Sequence, residues 1–408
     1  MKTPPAYSLS PALRRRAPGF TLVELMVAMA IGLVLALAIS LSMLVMGRQF
    51  RVVGANSAAQ VNAQLALSLI DEAGRAAGAG LFNNSQPICQ MFNAWYSGSI
   101  KSNGAALMPA RIADGGSAGS SDTIVFSSSN AVGPLSGLPV LDTMAGSTAG
   151  IVVPDAGVVA ANDVAIVGVP GSASVPCTLL RVSAAPTVGT ACGGNAVQCQ
   201  TLQHAADGTY NPPAGTFAME PAYSYANTGG NGPAVVMRLG TEFRQDGFQV
   251  ACNTLITYNA FTDSPSCTAA PVAFAGGANA LVSDVVLMHA QYGIAATASS
   301  DIVTNWVDAT ATGGVNWASP GAADIGRIKA IRVVLVTRSK EAASELVTAA
   351  SCTNGGGVVN TGPCSFDDAE APVLDLSGIA VPSGRSWRNY RYRVHQAVIP
   401  LRNAIWSS

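Results

Sequence analysis

The stretch Gly19-Phe20-Thr21-Leu22-Val23-Glu24-Leu25 opens a run that stays apolar as far as Met46, with Glu24 as its one ionisable side chain. A bilayer core needs about 20 apolar residues in a helix, so residues 20–46 predict a single membrane crossing. Lys2, Arg14, Arg15 and Arg16 precede the run without an acid, and this basic excess leaves the N-terminus in the cytoplasm. Everything after about Arg48 is then exported. An ordinary secretory signal has its cleavage site beyond the apolar stretch. Here Pro18 and Gly19, both poor helix residues, place a flexible joint ahead of it. A cut at that joint would remove the basic leader and keep the anchor.

The helix is expected to outrun the membrane. No proline interrupts residues 20–80, and apolar residues recur at helical intervals through Val52, Val53, Val61, Leu65 and Leu69. At about 1.5 Å per residue the helix would reach roughly 90 Å, so its second half, residues 47–80, belongs to the exported part. Gly74, Gly78 and Gly80 mark its end. Gly32, Gly47 and Gly54 lie within it as bends or packing positions.

The remainder, residues 81–408, reads as one β-rich body. Forty-two glycines and a charged fraction of 11% over 408 residues describe a loop-rich chain. Strands are predicted at Thr123–Phe126, Asp163–Val169, Thr178–Val182, Ala234–Phe243, Phe248–Tyr258, Ile328–Thr337 and Tyr390–Leu401. The small-residue stretches Asn103–Ser121 and Asn354–Gly362 are predicted to be exposed loops. The fold class is α+β, a long N-terminal transmembrane helix packed on a mostly antiparallel sheet with loop-rich insertions. Eight cysteines in an exported body, with no CxxC spacing, point to disulfides. Proximity suggests Cys192 with Cys199, Cys252 with Cys267 and Cys352 with Cys364, leaving Cys89 for Cys177, among the 105 pairings that eight cysteines allow.

The segment Gly19 to Leu25 resembles the type III signal of type IV prepilins and pseudopilins. The resemblance implies that a membrane prepilin peptidase cuts after Gly19, that Phe20 becomes an N-methylated N-terminus, and that Glu24 is the glutamate at the fifth mature position. A carboxylate within an apolar helix costs about 2.5–3.5 kcal/mol at mid-membrane, so a partner is expected. In the family that partner is the N-terminal amine of a neighbouring subunit. The Val61, Leu65 and Leu69 stripe is then expected to pack against both the body and neighbouring subunits. Loss of the leader takes the formal net charge from −1 to −5, which disfavours nonspecific DNA binding.

Three further segments are similar to the PilW family of minor pilins, related to the J-type minor pseudopilins of type II secretion. They are Leu281–Val286 leading to Gln291–Gly293, Ile328–Ser339, and Tyr390–Arg393 running on to Leu401–Asn403. The implied function is a structural subunit that helps to start pilus assembly and stays at or near the tip. Its expected partners are other minor pilins, the major pilin and a tip adhesin. It starts in the inner membrane with its body in the periplasm and ends at the cell surface. A minor pseudopilin of type II secretion and a tip adhesin or DNA-receptor pilin are the alternatives. Residues 128–231 carry no such similarity.

Other chemistry is weighed against this. Gly115-Gly116-Ser117-Ala118-Gly119 matches a GxSxG elbow, but a loop precedes the serine where a strand is required, and a strand follows where a helix is required. Neither His204, His289 nor His395 has the context of a catalytic base, so no catalytic residue and no cofactor is expected. Asp367, Asp368, Glu370 and Asp375 lack EF-hand spacing and read as a solvated loop with no metal. Arg385, Arg388, Arg391, Arg393 and Arg402 interleave with Trp387, Tyr390 and Tyr392. In a strand Arg391 and Arg393 share the face opposite Tyr390 and Tyr392, which makes a charged outer face a better reading than a nucleic-acid platform.

Overall fold

The computed structural model describes residues 19, 21–79, 81–83, 86–129, 137–154, 159–189, 192, 198–221 and 234–405. The chain divides into two units, residues 1–57 and residues 58–408, and one helix, Leu22–Ala76, runs through the boundary.

Leu22–Met43 has a mean hydropathy of 2.7 and none of it is buried. Ser40 and Ser42 within it are satisfied locally, their hydroxyls donating to the carbonyls of Ala36 and Ala38 at 2.8 and 2.9 Å.

The second unit is built of mostly antiparallel sheets. One five-stranded sheet has the order Asn279–Ser283, Thr254–Asn259, Phe243–Ala251, Thr123–Ser129, Ala110–Ala113. A four-stranded sheet has the order Val303–Val307, Val285–Ala295, Ile328–Arg338, Tyr392–Pro400. A six-stranded sheet contains Phe92–Tyr96 and Cys177–Arg181, which pair in parallel, with Val164–Gly168 and Val235–Gly240 beyond. One continuous core joins Ile70 of the helix to Phe126, Tyr292, Ile331 and Ile399. A second core is built around Val153, Val167 and Leu180, within the residues without family similarity, and includes Val236. Disulfides join Cys89–Cys177, Cys192–Cys199, Cys252–Cys267 and Cys352–Cys364.

Several expectations need correction. The stretch 103–121 is not simply an exposed loop, because Ala110–Ala113 is a strand with Ala110 and Ile112 buried. Its alternating apolar residues are too few to stand out among the surrounding glycines. The runs Ala234–Phe243 and Phe248–Tyr258 each span two strands. The second turns at Cys252 and Asn253, both at positive φ, the backbone of a two-residue hairpin turn. Val285–Ala295 is an eleven-residue strand buried throughout, yet His289, Gln291 and Gly293 interrupt its apolar pattern. His289 and Gln291 are tolerated because each has specific partners, described below, and at Gly293 a Cβ would lie 2.7 Å from the Trp306 ring.

The helix meets the body through a face that differs from the expected stripe. Ala63, Ala66, Ile70, Gly74 and Ala77 are buried, whereas Val61 and Leu65 are 61% and 55% exposed. Small residues let the sheet come close. A Cβ on Gly74 would lie 2.5 Å from Ile399 Cγ2 and 3.3 Å from the Phe126 ring. Val61 and Leu65 are left facing outward.

Candidate assembly interface

The N-terminal turn is closed on itself. Thr21 N–H and Thr21 Oγ1 both donate to Glu24 Oε2 at 2.9 Å, and Glu24 N–H donates to Thr21 Oγ1 at 3.3 Å. This is a capping box, in which residue and backbone at the helix start satisfy one another. The sequence signal for it, Thr-x-x-Glu ahead of an apolar run, is present at Thr21 to Glu24. It means that the helix start itself supplies two donors to the carboxylate, and only Oε1 is left without a partner among the described residues. Gly19 is exposed, with open space around its Cα. Phe20 and the leader arginines lie outside the described residues.

At its other end the helix is fastened by the C-terminus of the chain. The last carbonyls of a helix have no partner within it. Asn403, on the short helix Arg402–Ile405, donates its Nδ2 to the carbonyls of Arg75, Ala76 and Ala77 at 3.2, 3.4 and 3.0 Å. Gly78 then takes a positive φ and donates its N–H to Ser127 O at 2.9 Å. Asn403→Ala is expected to cost about 1–2 kcal/mol, and Asn403→Asp more, since a carboxylate would face three carbonyls without a donor. Denaturation midpoints of the two variants should fall in that order.

The central strand Ile328–Arg338 carries two buried cations. Lys329 Nζ donates to Ala298 O at 2.8 Å and Ala404 O at 3.4 Å, and burial holds its pKa below the ordinary lysine value. Arg332, 1% exposed, donates to Gln291 Oε1 at 2.6 Å, to both oxygens of Asp368 at 2.6 and 3.2 Å, and to the carbonyl of Glu370. Its guanidinium also lies 4.8 Å from the Trp306 ring centre and 4.7 Å from that of Phe366. Glu370 in turn accepts from Trp306 N–H and Asn305 Nδ2 at 2.7 and 2.9 Å. The acidic segment 367–370 is therefore a strap fastened across the sheet, where the sequence reading has a solvated loop. Asp375 bonds elsewhere, accepting from Ser377 N–H at 2.8 Å. Among the described residues no three acidic, histidine or cysteine side chains converge as metal ligands would.

The GxSxG loop has a structural partner as well. His289 Nε2 lies 3.0 Å from the carbonyl of Ala118 and Nδ1 lies 3.3 Å from Asp122 Oδ2, while Ser117 Oγ pairs with Ser120 Oγ at 3.0 Å. A histidine occupied on both nitrogens by a carboxylate and a carbonyl is a clamp between loop and sheet. Burial pushes its pKa down, but the hydrogen bond and charge of Asp122 and the Ala118 carbonyl outweigh this and leave it raised. A raised histidine pKa contributes stability that is complete below the unfolded value of about 6.5 and disappears as pH rises through the folded value. Burial lowers the pKa of His204 and His395, which gives the opposite trend. The test is therefore a difference: the Tm gap between the parent and His289→Gln should be widest near pH 5.5 and shrink steadily toward pH 9.

The C-terminal aromatics are packed rather than displayed. Tyr390 is buried beneath the Arg338 guanidinium at 4.8 Å, and Tyr392 Oη donates to the Trp387 carbonyl at 2.9 Å. Arg391 and Arg393 are exposed, as the alternation along the strand predicts.

Comparison with known proteins bears on the same parts of the chain. Residues 14–40 match the prokaryotic N-terminal methylation motif, and residues 270–403 match the family described as Type IV Pilus-assembly protein W. No curated protein and no solved structure matches. The second match contains the buried strand 285–295, the cationic central strand, its acidic strap and the asparagine that closes the helix. The two matches, a methylation motif at one end of the chain and a PilW segment near the other, support a type IV minor pilin of the PilW family.

Proposed function

We propose that this minor pilin helps to initiate pilus assembly and stays at or near the tip, working through protein interfaces and not through catalysis. Prepilin peptidase removes residues 1–19 after Gly19, and Phe20 becomes the methylated N-terminus. Residues 20–46 hold the subunit in the inner membrane with the rest in the periplasm. On assembly they leave lipid for a bundle of helices from the major pilin and other minor pilins, with an adhesin as a further partner at the tip.

The observation that carries this reading is the unburied apolar surface of the helix. Leu22–Met43 needs lipid or protein around it, and Val61 and Leu65 extend the demand beyond a membrane's thickness. Tip placement is supported by the body, which adds a second core and further sheets beyond the family-matched residues. So bulky a head suits an end position, where fewer subunits stack on it. Deletion of the protein should abolish surface pili and twitching while secretion of folded exoproteins continues. Loss of secretion with pili intact would assign the chain to a type II secretion machine instead.

A further inference from the structure

The strand Tyr392–Pro400 is the terminal strand of its sheet, and its outer edge is bare. It pairs with Ile328–Arg338 in an unbroken register, from Ala330 opposite Pro400 to Arg338 opposite Tyr392. Ser339 N–H donates to Arg391 O at 2.8 Å beyond one end, and Leu401 N–H to Lys329 O at 2.9 Å beyond the other. Bonded pairs recur at every second residue of an antiparallel ladder. Arg393, His395, Ala397 and Ile399 thus bond inward, and the N–H and C=O groups of Tyr392, Val394, Gln396 and Val398 point away from the sheet. None of these outward groups has a partner among the described residues. The opposite edge of the same sheet is treated differently, for Glu370 closes it at Trp306 N–H.

An open edge of this length is a template for another strand, and proteins ordinarily blunt such edges. The side chains here set what is admitted. Arg391 and Arg393, two residues apart on one face, are exposed and form no ion pair among the described residues, while Gln396 is exposed and Val398 is 52% exposed on the other face. Cross-strand neighbours of opposite charge are favoured and like charges are repelled. We propose that this edge takes up an extended segment of a partner protein, with carboxylates at alternate positions opposite Arg391 and Arg393 and an apolar residue against Val398. Main-chain hydrogen bonds would supply affinity and the arginines the choice of partner, as in other cases of strand addition. The inference holds wherever in the filament the subunit lies.

The experiment uses the full chain in detergent micelles and two labelled ten-residue peptides, one alternating Glu and Val, the other alternating Lys and Val. Fluorescence anisotropy should show binding of the acidic peptide alone. Gln396→Pro removes one outward N–H and obstructs the edge without touching an inward bond. It should weaken binding at least tenfold, as should Arg391→Glu with Arg393→Glu, and the charge-reversed protein should now take the lysine peptide. Deuterium exchange at Val394, Gln396 and Val398 should slow when the acidic peptide is bound. Exchange at the inward amides of His395 and Ala397 reports whether each variant is folded, with Val398→Pro as the substitute if Gln396→Pro is not. No binding of the acidic peptide would mean that the arginines only guard the edge, and the proposal fails. It fails equally if Gln396→Pro binds like the parent, or if a duplex oligonucleotide displaces the peptide and binds Gln396→Pro unchanged, since the surface would then read phosphates.

Discussion

Asp368→Ala is expected to destabilise the body by about 3 kcal/mol, more than Arg332→Met does, although both break the same ion pair. The asymmetry follows from burial. The Arg332 side chain is 1% exposed and that of Asp368 44% exposed. Removing the carboxylate leaves a guanidinium inside the body with Gln291 Oε1 and the Glu370 carbonyl as its remaining acceptors. An uncompensated buried charge is the costly product of breaking such a pair. Removing the arginine leaves a carboxylate that water reaches, and methionine refills much of the space between Trp306 and Phe366. Its cost, about 1–2 kcal/mol, comes from the ring contacts and the freed Gln291 acceptor. Denaturation of the two single variants and the double variant gives the coupling directly, and the double should lie close to Arg332→Met. Equal losses in the two singles would show that the strap is held by packing and not by charge.

Glu24→Ala is expected to leave folding and leader removal intact and to reduce incorporation into pili by at least tenfold. The carboxylate already receives two donors at Oε2 from Thr21, so its own helix start removes part of the penalty for an acid in an apolar helix. Oε1 is the oxygen that would remain for the amine of a neighbouring subunit. Glu24→Gln tests the charge apart from the cap: an amide oxygen still accepts from Thr21, but a neutral side chain cannot pair with an ammonium group. Incorporation should therefore fall in both variants, whereas Thr21→Val, which loses only the hydroxyl, should be nearer the parent. Quantifying each variant in sheared pili against its amount in the membrane checks this. Equal incorporation of Glu24→Gln and the parent would remove the ion pair from the account.

The N-terminal apolar helix of this protein was legible because its information is local. A glycine before an apolar run, one acid within it and basic residues ahead of it are neighbours in the chain, and lipid imposes the same length and polarity rules on any segment. The β-rich class was legible too, since alternating residues and turn formers recur within each strand. The strands read less well where polar groups are buried. His289 and Gln291 break the apolar pattern of one strand and Lys329 and Arg332 that of its neighbour, although a lysine and an arginine within Ile328–Arg338 were a signal that buried partners exist.

By itself the sequence determined one helix long and apolar enough to cross a membrane, a body rich in antiparallel sheet, and resemblance to a minor pilin. The tertiary structure alone decided which face of the helix meets the body, because Ala63, Ala66 and Gly74 win that position by allowing close approach, and hydrophobicity by itself would have chosen Val61 and Leu65. It also decided that Asp368 and Glu370 fasten a strap, that Asn403 closes a helix more than 300 positions earlier in the chain, and that one sheet edge stays open. Each depends on groups brought together across long separations in sequence, where neither periodicity nor spacing carries a signal.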